Sequence, residues 1–207
     1  MKLRITIVLS GLVMALSASQ VLAATFAVGA NNVSATLRVN VNVQTAVQLT
    51  LSTATGGCSI TNPGAGGEDF SIDFGDVNGL GLGTPSGCIK AVDTATSASA
   101  AFYLTDYQMT AKFSGFTATG STVTLTHAGF TNQGTNALDL HEGATATNAS
   151  GLTQVPTSGT SHQMTGVASG TPTTRTLAVR VSNYNGSSPA PVAGADHTVV
   201  TFQLTVP

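Results

Sequence analysis

Residues 35–51 read ATLRVNVNVQTAVQLTL, and this stretch decides the fold class. Its odd-numbered positions are mostly apolar and its even-numbered positions are mostly polar. Because successive side chains of a β-strand point to opposite faces, this alternation is typical of a strand with one face in a core and the other in water. At about 3.3 Å per residue the stretch would be about 55 Å long, which is too long for one strand of a small domain. We therefore expect it to bend or divide near residues 44–46, or to project from the body.

Shorter alternating runs recur through the rest of the chain, at residues 70–74, 107–113, 123–125, 177–181 and 200–206. Clusters of Gly, Asn, Pro and Ser separate them, and no stretch of useful length has the helical period. This pattern predicts an all-β fold, an immunoglobulin-like antiparallel β-sandwich with long polar loops. Residues 144–174 hold few large apolar side chains, so we expect a long exposed loop or a decorated hairpin there. The prediction is a single domain over residues 24–207.

The composition excludes several classes of protein. Only 8% of the residues are charged, the formal net charge is −2, and the chain has 23 Gly and no Trp. Few Lys, Glu and Arg side chains argue against coiled coils and mainly helical folds. A chain without a basic stripe is not expected to bind nucleic acid. The hydrophobic share of 42% is enough for a packed core.

The first 23 residues have the order of a secretory signal peptide. Lys2 and Arg4 are followed by an apolar run from Ile5 to Leu16, and Val21-Leu22-Ala23 then offers a cleavage site. The apolar run is too short to cross a bilayer, which takes about 20 residues. We therefore predict a signal peptide over residues 1–23 and a secreted mature chain without a membrane span.

Export gives meaning to the two cysteines, Cys58 and Cys88. An oxidising compartment favours joining them, and a loop of about 30 residues closed in this way would stabilise the fold by about 3–4 kcal/mol. A metal site or a catalytic thiol is the alternative. Two thiolates without a neighbouring pair of histidines make a poor zinc site, and neither cysteine has an obvious basic activator. We predict a structural disulfide.

No motif of an active site stands out. The run Gly79-Leu80-Gly81-Leu82-Gly83 lacks the helix, the lysine and the acidic residue of a nucleotide-binding loop, so we expect a flexible loop between strands. The histidines are scattered and are expected on loops or strand surfaces: His127, His141, His162 and His197. The sequence therefore predicts a protein that is not an enzyme, with no catalytic, cofactor-binding or metal site.

Two weaker interpretations concern the acidic residues that follow the first cysteine. Asp73, Asp76 and Asn78 carry oxygens that could bind calcium, although their spacing differs from that of an EF-hand loop. Two of the carboxylates in this region could also pair as the acid and nucleophile of a glycosidase. The scarcity of aromatic side chains that would line a sugar cleft argues against the second interpretation.

The order of these features resembles a known family. An alternating segment runs out of the signal peptide, a cysteine follows, then Phe70-Ser71-Ile72-Asp73-Phe74-Gly75, a second cysteine, and a final alternating strand over residues 199–206. This arrangement resembles the secreted pilin-like sandwiches of the spore coat protein U and archaic chaperone–usher pilin type. The resemblance implies like subunits as partners, with a periplasmic chaperone and an outer-membrane usher. It also implies passage through the periplasm to the cell surface or the medium.

In that family an incomplete sandwich is filled by the N-terminal extension of the next subunit. Residues 24–36 are the candidate donor segment here, with candidate contacts at Phe26, Val28, Ala30 and Val33. A free apolar segment of this kind would tend to aggregate unless it were paired. The same segment could instead be the first strand of a complete sandwich in its own domain, and the sequence leaves the two interpretations open.

The function expected from the resemblance is that of an exported structural subunit of a surface fibre or coat, assembled by N-terminal donor-strand complementation. The alternative is a monomeric secreted adhesin, or a carbohydrate- or matrix-binding sandwich module. A surface rich in Thr, Ser and Gly with few charges suits packing into a polymer, because few charged groups would repel each other there.

Overall fold

The computed structural model describes residues 38–42, 44–116, 120–133, 136–183 and 191–207. The predicted signal peptide and the candidate donor contacts Phe26, Val28, Ala30 and Val33 lie outside these residues. The chain divides into two compact units, Met1–Asn42 and Val43–Pro207. Of the first unit, residues 38–42 are described; they carry no regular secondary structure, and Val39 and Val41 are exposed.

The regular secondary structure of the second unit is almost entirely β-strand, with two single turns of 3₁₀ helix at Ala65–Gly67 and Ala149–Gly151. The strands are β1 (Ala46–Thr53), β2 (Ile60–Thr61), β3 (Ser71–Ile72), β4 (Ala91–Asp93), β5 (Ala100–Ser114), β6 (Thr122–His127), β7 (Leu138–Ala144), β8 (Thr153–Gln154), β9 (His162–Thr165), β10 (Thr173–Ser182) and β11 (Val200–Thr205). The predicted all-β class is confirmed. The first strand begins at Ala46, in the region where the long alternating stretch was expected to divide.

Two main sheets face each other, and every pairing between named strands of the described chain is antiparallel. The large sheet has the order β1-β5-β10-β7-β8, with β4 paired beside β1 on the same edge of β5. The small sheet has the order β11-β6-β9, and β2 and β3 form a separate short hairpin.

The core lies between the large and small sheets. Tyr107 and Met109 of the large sheet and Val123, Leu125 and Met164 of the small sheet belong to one buried cluster. Both sheets alternate as a half-buried strand must, with apolar side chains inward. The arrangement is an antiparallel β-sandwich, as the sequence predicted.

The expectation of a long exposed loop or decorated hairpin at residues 144–174 was correct only in part, because most of the segment is exposed but it also contains two short strands. This segment supplies β8 to the large sheet and β9 to the small sheet, and so crosses from one layer to the other. Val155 and Met164 are its contributions to the core, and both are buried. A second buried cluster, made by Phe102, Leu104 and Ala149 with their neighbours, lies on the outer face of the large sheet under the same segment.

Candidate functional site

The last strand, β11, forms an edge of the small sheet. Among the described strands it pairs with β6 alone. Its inward side chains, Val200, Phe202 and Leu204, pack on the core but are only partly buried, whereas Val123 and Leu125 on the middle strand are fully buried. The edge strand therefore presents apolar side chains that the sandwich covers only in part.

The strand β1 forms the corresponding edge of the large sheet. Leu49 and Leu51 pack on the same core and are half-buried, and Val47 is 56% exposed. In the described chain β1 pairs with β5 alone among the named strands. This edge is thus also covered only in part.

The edges at β1 and β11 lie on the same side of the sandwich. Phe202 of β11 contacts Tyr107 of β5, the neighbour of β1, edge to face with ring centroids 6.0 Å apart. At the other edge of the small sheet, His162 of β9 reaches Glu142 of β7, with 2.6 Å between Nε2 and Oε2. We call the β1 and β11 edge the open side, defined by Leu49, Leu51, Val200, Phe202 and Leu204.

The open side has the chemistry that an added strand needs. A sheet edge offers main-chain N–H and C=O groups in register, and half-covered apolar side chains offer sites for alternate side chains of an incoming strand. Polar groups of β11 point the other way, because Thr201, Gln203 and Thr205 are exposed on its outer face. An extended segment with apolar residues at every second position would match this surface.

The predicted disulfide is confirmed. Cys58 and Cys88 are bonded, with Cα atoms 4.5 Å apart and a sequence separation of 30 residues. Thr105 of β5 bonds to the main chain of both cysteines: its hydroxyl accepts from the Cys58 amide at 2.8 Å and donates to the Cys88 carbonyl at 3.0 Å. The bridge therefore fastens the whole segment between the cysteines to the large sheet.

The polar side chains of the segment after Cys58 bond to their own loop. No group of three or more His, Cys, Asp or Glu side chains able to hold a metal ion occurs within the described ranges. Asp73 instead accepts from the Gly75 amide at 2.8 Å, and Asn78 bonds to its own loop. The Phe74-Gly75 pair that carried part of the resemblance follows β3 rather than lying in it, since Gly75 has a left-handed φ of 67°.

A buried ionic cluster, which we did not predict, joins the two sheets. Glu142 is 0% exposed and accepts from Tyr107 Oη at 2.9 Å, from His162 Nε2 at 2.6 Å and from Arg175 Nη2 at 2.8 Å. Arg175 Nε also donates to the other carboxylate oxygen. With its two oxygens shared among three side chains, this carboxylate is fully engaged.

Electrostatics within the cluster follow from burial and charge. Burial, followed by the nearby Glu142 carboxylate, raises the pKa of Tyr107 far above its usual value, so the phenol stays a donor. The hydrogen bond to Glu142 raises the pKa of Arg175 and outweighs the opposing effect of burial. A buried pair of this kind joins the strands that carry it, and removal of one partner destabilises a fold by several kcal/mol, about 3–5. We assign the cluster a structural role.

One signal in the sequence could have identified this cluster. Glu142 has the same parity as Leu138 and Leu140, and Arg175 has the same parity as Leu177 and Val179. Two opposite charges at inward positions of neighbouring strands imply a buried pair. The sequence did not show that β7 and β10 are neighbours.

The four histidines differ in burial: His197 is exposed, as expected, whereas His141 and His162 are partly buried. His127 is almost completely buried, so its placement on a surface was wrong. His141 stacks edge to face on Phe102, with ring centroids 5.2 Å apart, and burial lowers its pKa to about 4. It lines a shallow polar depression of about 330 Å³ on the outer face of the large sheet, together with Asp139 and Arg180.

In the part of the chain that the structure describes, no helix is both long and apolar enough to cross a membrane. No family model matches the chain, and no curated protein or solved structure is significantly similar to it.

Proposed function

We propose that this protein is an exported structural subunit of a surface fibre or coat, and that its open side receives the N-terminal segment of another copy. The observation that supports the proposal is that β1 and β11, two edge strands on one side of the sandwich, have inward apolar side chains that are only partly buried. An incomplete immunoglobulin-like sandwich of the pilin type has this property. The proposed role is not enzymatic.

The donor in this proposal is the segment 24–36. Phe26, Val28 and Ala30 occupy every second position, which matches the spacing of side chains along one face of a strand. An incoming strand would pair with the free edge of β11 and place these side chains against Phe202 and Leu204. Each large apolar side chain that becomes buried contributes about 1.5–3 kcal/mol.

Partners follow from the physics of the open side. An unpaired edge with apolar side chains promotes aggregation, so a subunit of this kind needs protection until assembly. A periplasmic chaperone and an outer-membrane usher would provide it during transit to the cell surface. Low charge also supports the proposal, because only 8% of the residues would bring charge into contacts between subunits.

The test separates donation from self-complementation. A variant that lacks residues 24–31 should remain folded with a chaperone, fail to polymerise, and bind an added peptide of residues 24–36. The matched control is the same peptide with Phe26→Asp and Val28→Asp, which should not bind. Binding is measured by fluorescence polarisation and polymerisation by SDS-resistant ladders on gels.

Two results would count against the proposal. Assembly of the deletion variant at the wild-type rate would remove the donor role. A wild-type monomer whose melting temperature drops on deletion, with no change in oligomeric state, would show that the segment completes its own sandwich.

A monomeric adhesin or carbohydrate-binding module is the second candidate, and the depression beside His141 favours it. Asp139, Arg180 and Gln154 line it together, and Gln154 Nε2 donates to Asp139 Oδ1 at 3.1 Å. Amide, carboxylate and guanidinium groups are those that hold sugar hydroxyls. Binding to a glycan array that is lost on Gln154→Ala, with no fibre formed by wild type, would select this candidate.

A further inference from the structure

Two loops continue the pairing of β6 with β11 beyond the ends of these strands. We call residues 128–133, which follow β6, and residues 192–199, which precede β11, the clasp. Where the two loops begin, the Ala128 amide donates to the Val199 carbonyl at 2.9 Å. The clasp therefore holds the residues that lead into the edge strand β11.

Asp196 and Gln133 supply most of the contacts of the clasp. The Asp196 carboxylate accepts from the amide and the hydroxyl of Thr131, at 3.0 and 2.7 Å, and from the amide of Asn132 at 3.1 Å. The Gln133 side chain donates to the Val192 carbonyl at 3.0 Å and accepts from the Val192 amide at 2.7 Å. Burial alone would raise the pKa of Asp196, but its hydrogen bonds lower it below the usual value, so this carboxylate stays ionised where histidines titrate.

His127 ends β6 and contacts both loops of the clasp. It pairs in register with Val200, the first residue of β11, and is only 4% exposed. The Gly129 amide donates to its Nδ1 at 3.2 Å, and the Thr198 hydroxyl lies 3.2 Å from the same atom. Because Nδ1 accepts a hydrogen bond from an amide, the neutral ring carries its proton on Nε2.

Protonation of His127 is incompatible with this contact. The second proton would lie on Nδ1, where it would face the N–H of Gly129. The Thr198 hydroxyl could turn to accept from the charged ring, but the Gly129 amide would lose its acceptor. The closed clasp therefore requires a neutral ring.

The groups around His127 do not compensate for this loss. Burial lowers its pKa below the usual 6.5 and outweighs the Asp139 carboxylate of β7 and the Val155 carbonyl, both of which favour the charged ring. On the clasp, the Asp196 carboxylate is engaged by the opposite loop, and His197 is exposed. A ring released into water would instead titrate at about pH 6.5.

We propose that His127 is a pH-sensitive switch on the edge strand: its neutral ring keeps the clasp closed, and its protonation opens the clasp and releases the N-terminal end of β11. The closed and open clasps are the two states between which the proton selects. Among the described strands β11 pairs with β6 alone, so the large sheet keeps its own pairing in both states. The switch goes beyond the proposed function, since it acts on this edge whether or not the edge receives a donated strand.

Hydrogen–deuterium exchange measures the opening of the clasp. After correction for the intrinsic effect of pH on exchange, the protection of the Ala128 and Asn132 amides should fall by up to about tenfold between pH 7.5 and 5.5. The fall is expected because the open state, whose histidine titrates normally, gains stability by binding a proton that the closed state excludes. The Val179 amide in the central strand of the large sheet should keep its protection.

His127→Asn is the test variant, because Asn places an amide oxygen close to the position of Nδ1 and has no proton to gain in this range. Clasp protection in this variant should lose its pH dependence, whatever the absolute stability of the variant. His141→Gln is the matched control: His141 is also a partly buried histidine whose pKa is lowered by burial, but it packs on Phe102 on the outer face of the large sheet. In this control the clasp should respond to pH as in wild type.

Nitrogen NMR of the wild-type ring decides the matter if His127→Asn fails to fold. A neutral ring with its proton on Nδ1, or a His127 pKa at or above 6.5, would overturn the switch. Clasp protection that changes less than about twofold between the two pH values would overturn it too, as would an equal loss at Val179 or a pH dependence retained in His127→Asn. A loss confined to the clasp and β11, absent in His127→Asn and present in His141→Gln, would support it.

Discussion

Replacing Glu142 by Gln should strongly destabilise the sandwich. Gln has nearly the same shape, so packing is retained while the charge is lost. Arg175, whose side chain is 16% exposed, then keeps its charge with no counter-charge at Glu142 and faces an amide that can accept only through its oxygen. Breaking a buried ion pair by removing one partner costs about 3–5 kcal/mol.

Urea unfolding at pH 7 measures this loss. With a slope of about 2 kcal/mol per molar urea, a cost of 3–5 kcal/mol lowers the midpoint by about 1.5–2.5 M. The matched variant is Glu142→Gln with Arg175→Met, which removes the unpaired charge; the amide oxygen can still accept from Tyr107, and the amide NH2 can donate to His162 Nε2. We expect this double variant to recover at least about 2 kcal/mol relative to Glu142→Gln alone.

Two results would refute the assigned role. A Glu142→Gln variant within about 1 kcal/mol of wild type would mean that the cluster does not hold the sheets together. A double variant whose destabilisation equals the sum of the two single effects would mean that the two charges are not coupled in the folded protein.

Three further predictions concern stability. Reducing the disulfide, or Cys58→Ser with Cys88→Ser, should lower the free energy of unfolding by about 3–4 kcal/mol, measured by urea unfolding with and without reductant. Burial holds the pKa of His141 at about 4, below the usual 6.5, so stability should be complete above pH 6.5 and fall by about 3 kcal/mol toward pH 4; a His141→Gln variant should lack this slope. Burial alone would raise the pKa of Asp93, but hydrogen bonds from Thr96, Ala149 and Ala95 lower it to about 2. The ionised carboxylate therefore contributes about 2 kcal/mol to the free energy of unfolding, and this contribution is lost as the pH falls from 3.8 to 2. The pH dependence should be absent in Asp93→Asn.

Periodic stretches were predictable because alternation is a local property of a chain. The alternation of Leu177, Val179 and Val181 with polar or small residues predicts a strand there, which is β10, and all three side chains are buried. The disulfide was predictable because a chain with two cysteines allows one intramolecular pairing. The strand is predicted by residues that are close in sequence, and the disulfide is predicted by the number of cysteines.

Features that depend on which strands become neighbours were not predictable. β8 has two residues and β9 has four, which is too short for alternation to stand out among Thr, Ser and Gly. Val155 and Met164 are single apolar residues in this polar segment, yet both reach the core. Residues 79–83 lie in a loop between strands, as expected, but the hydrogen bonds at its base join Asn78 to Tyr103, 25 residues away in the sequence, which no local pattern could show.

The pairing of β6 with β11 also affects the order in which the sandwich can be completed. Thr122 is paired with both Thr165 of β9 and Thr205 of β11, so β6 and β9 can pair before β11 is available. During synthesis, which delivers the chain from its N-terminus, the part of the large sheet that contacts Phe202 would stay without its cover until β11 emerges. A truncation that removes only β11 would therefore be expected to arrest maturation rather than trim an appendage. A stall late in translation would leave a half-covered sheet exposed to proteases.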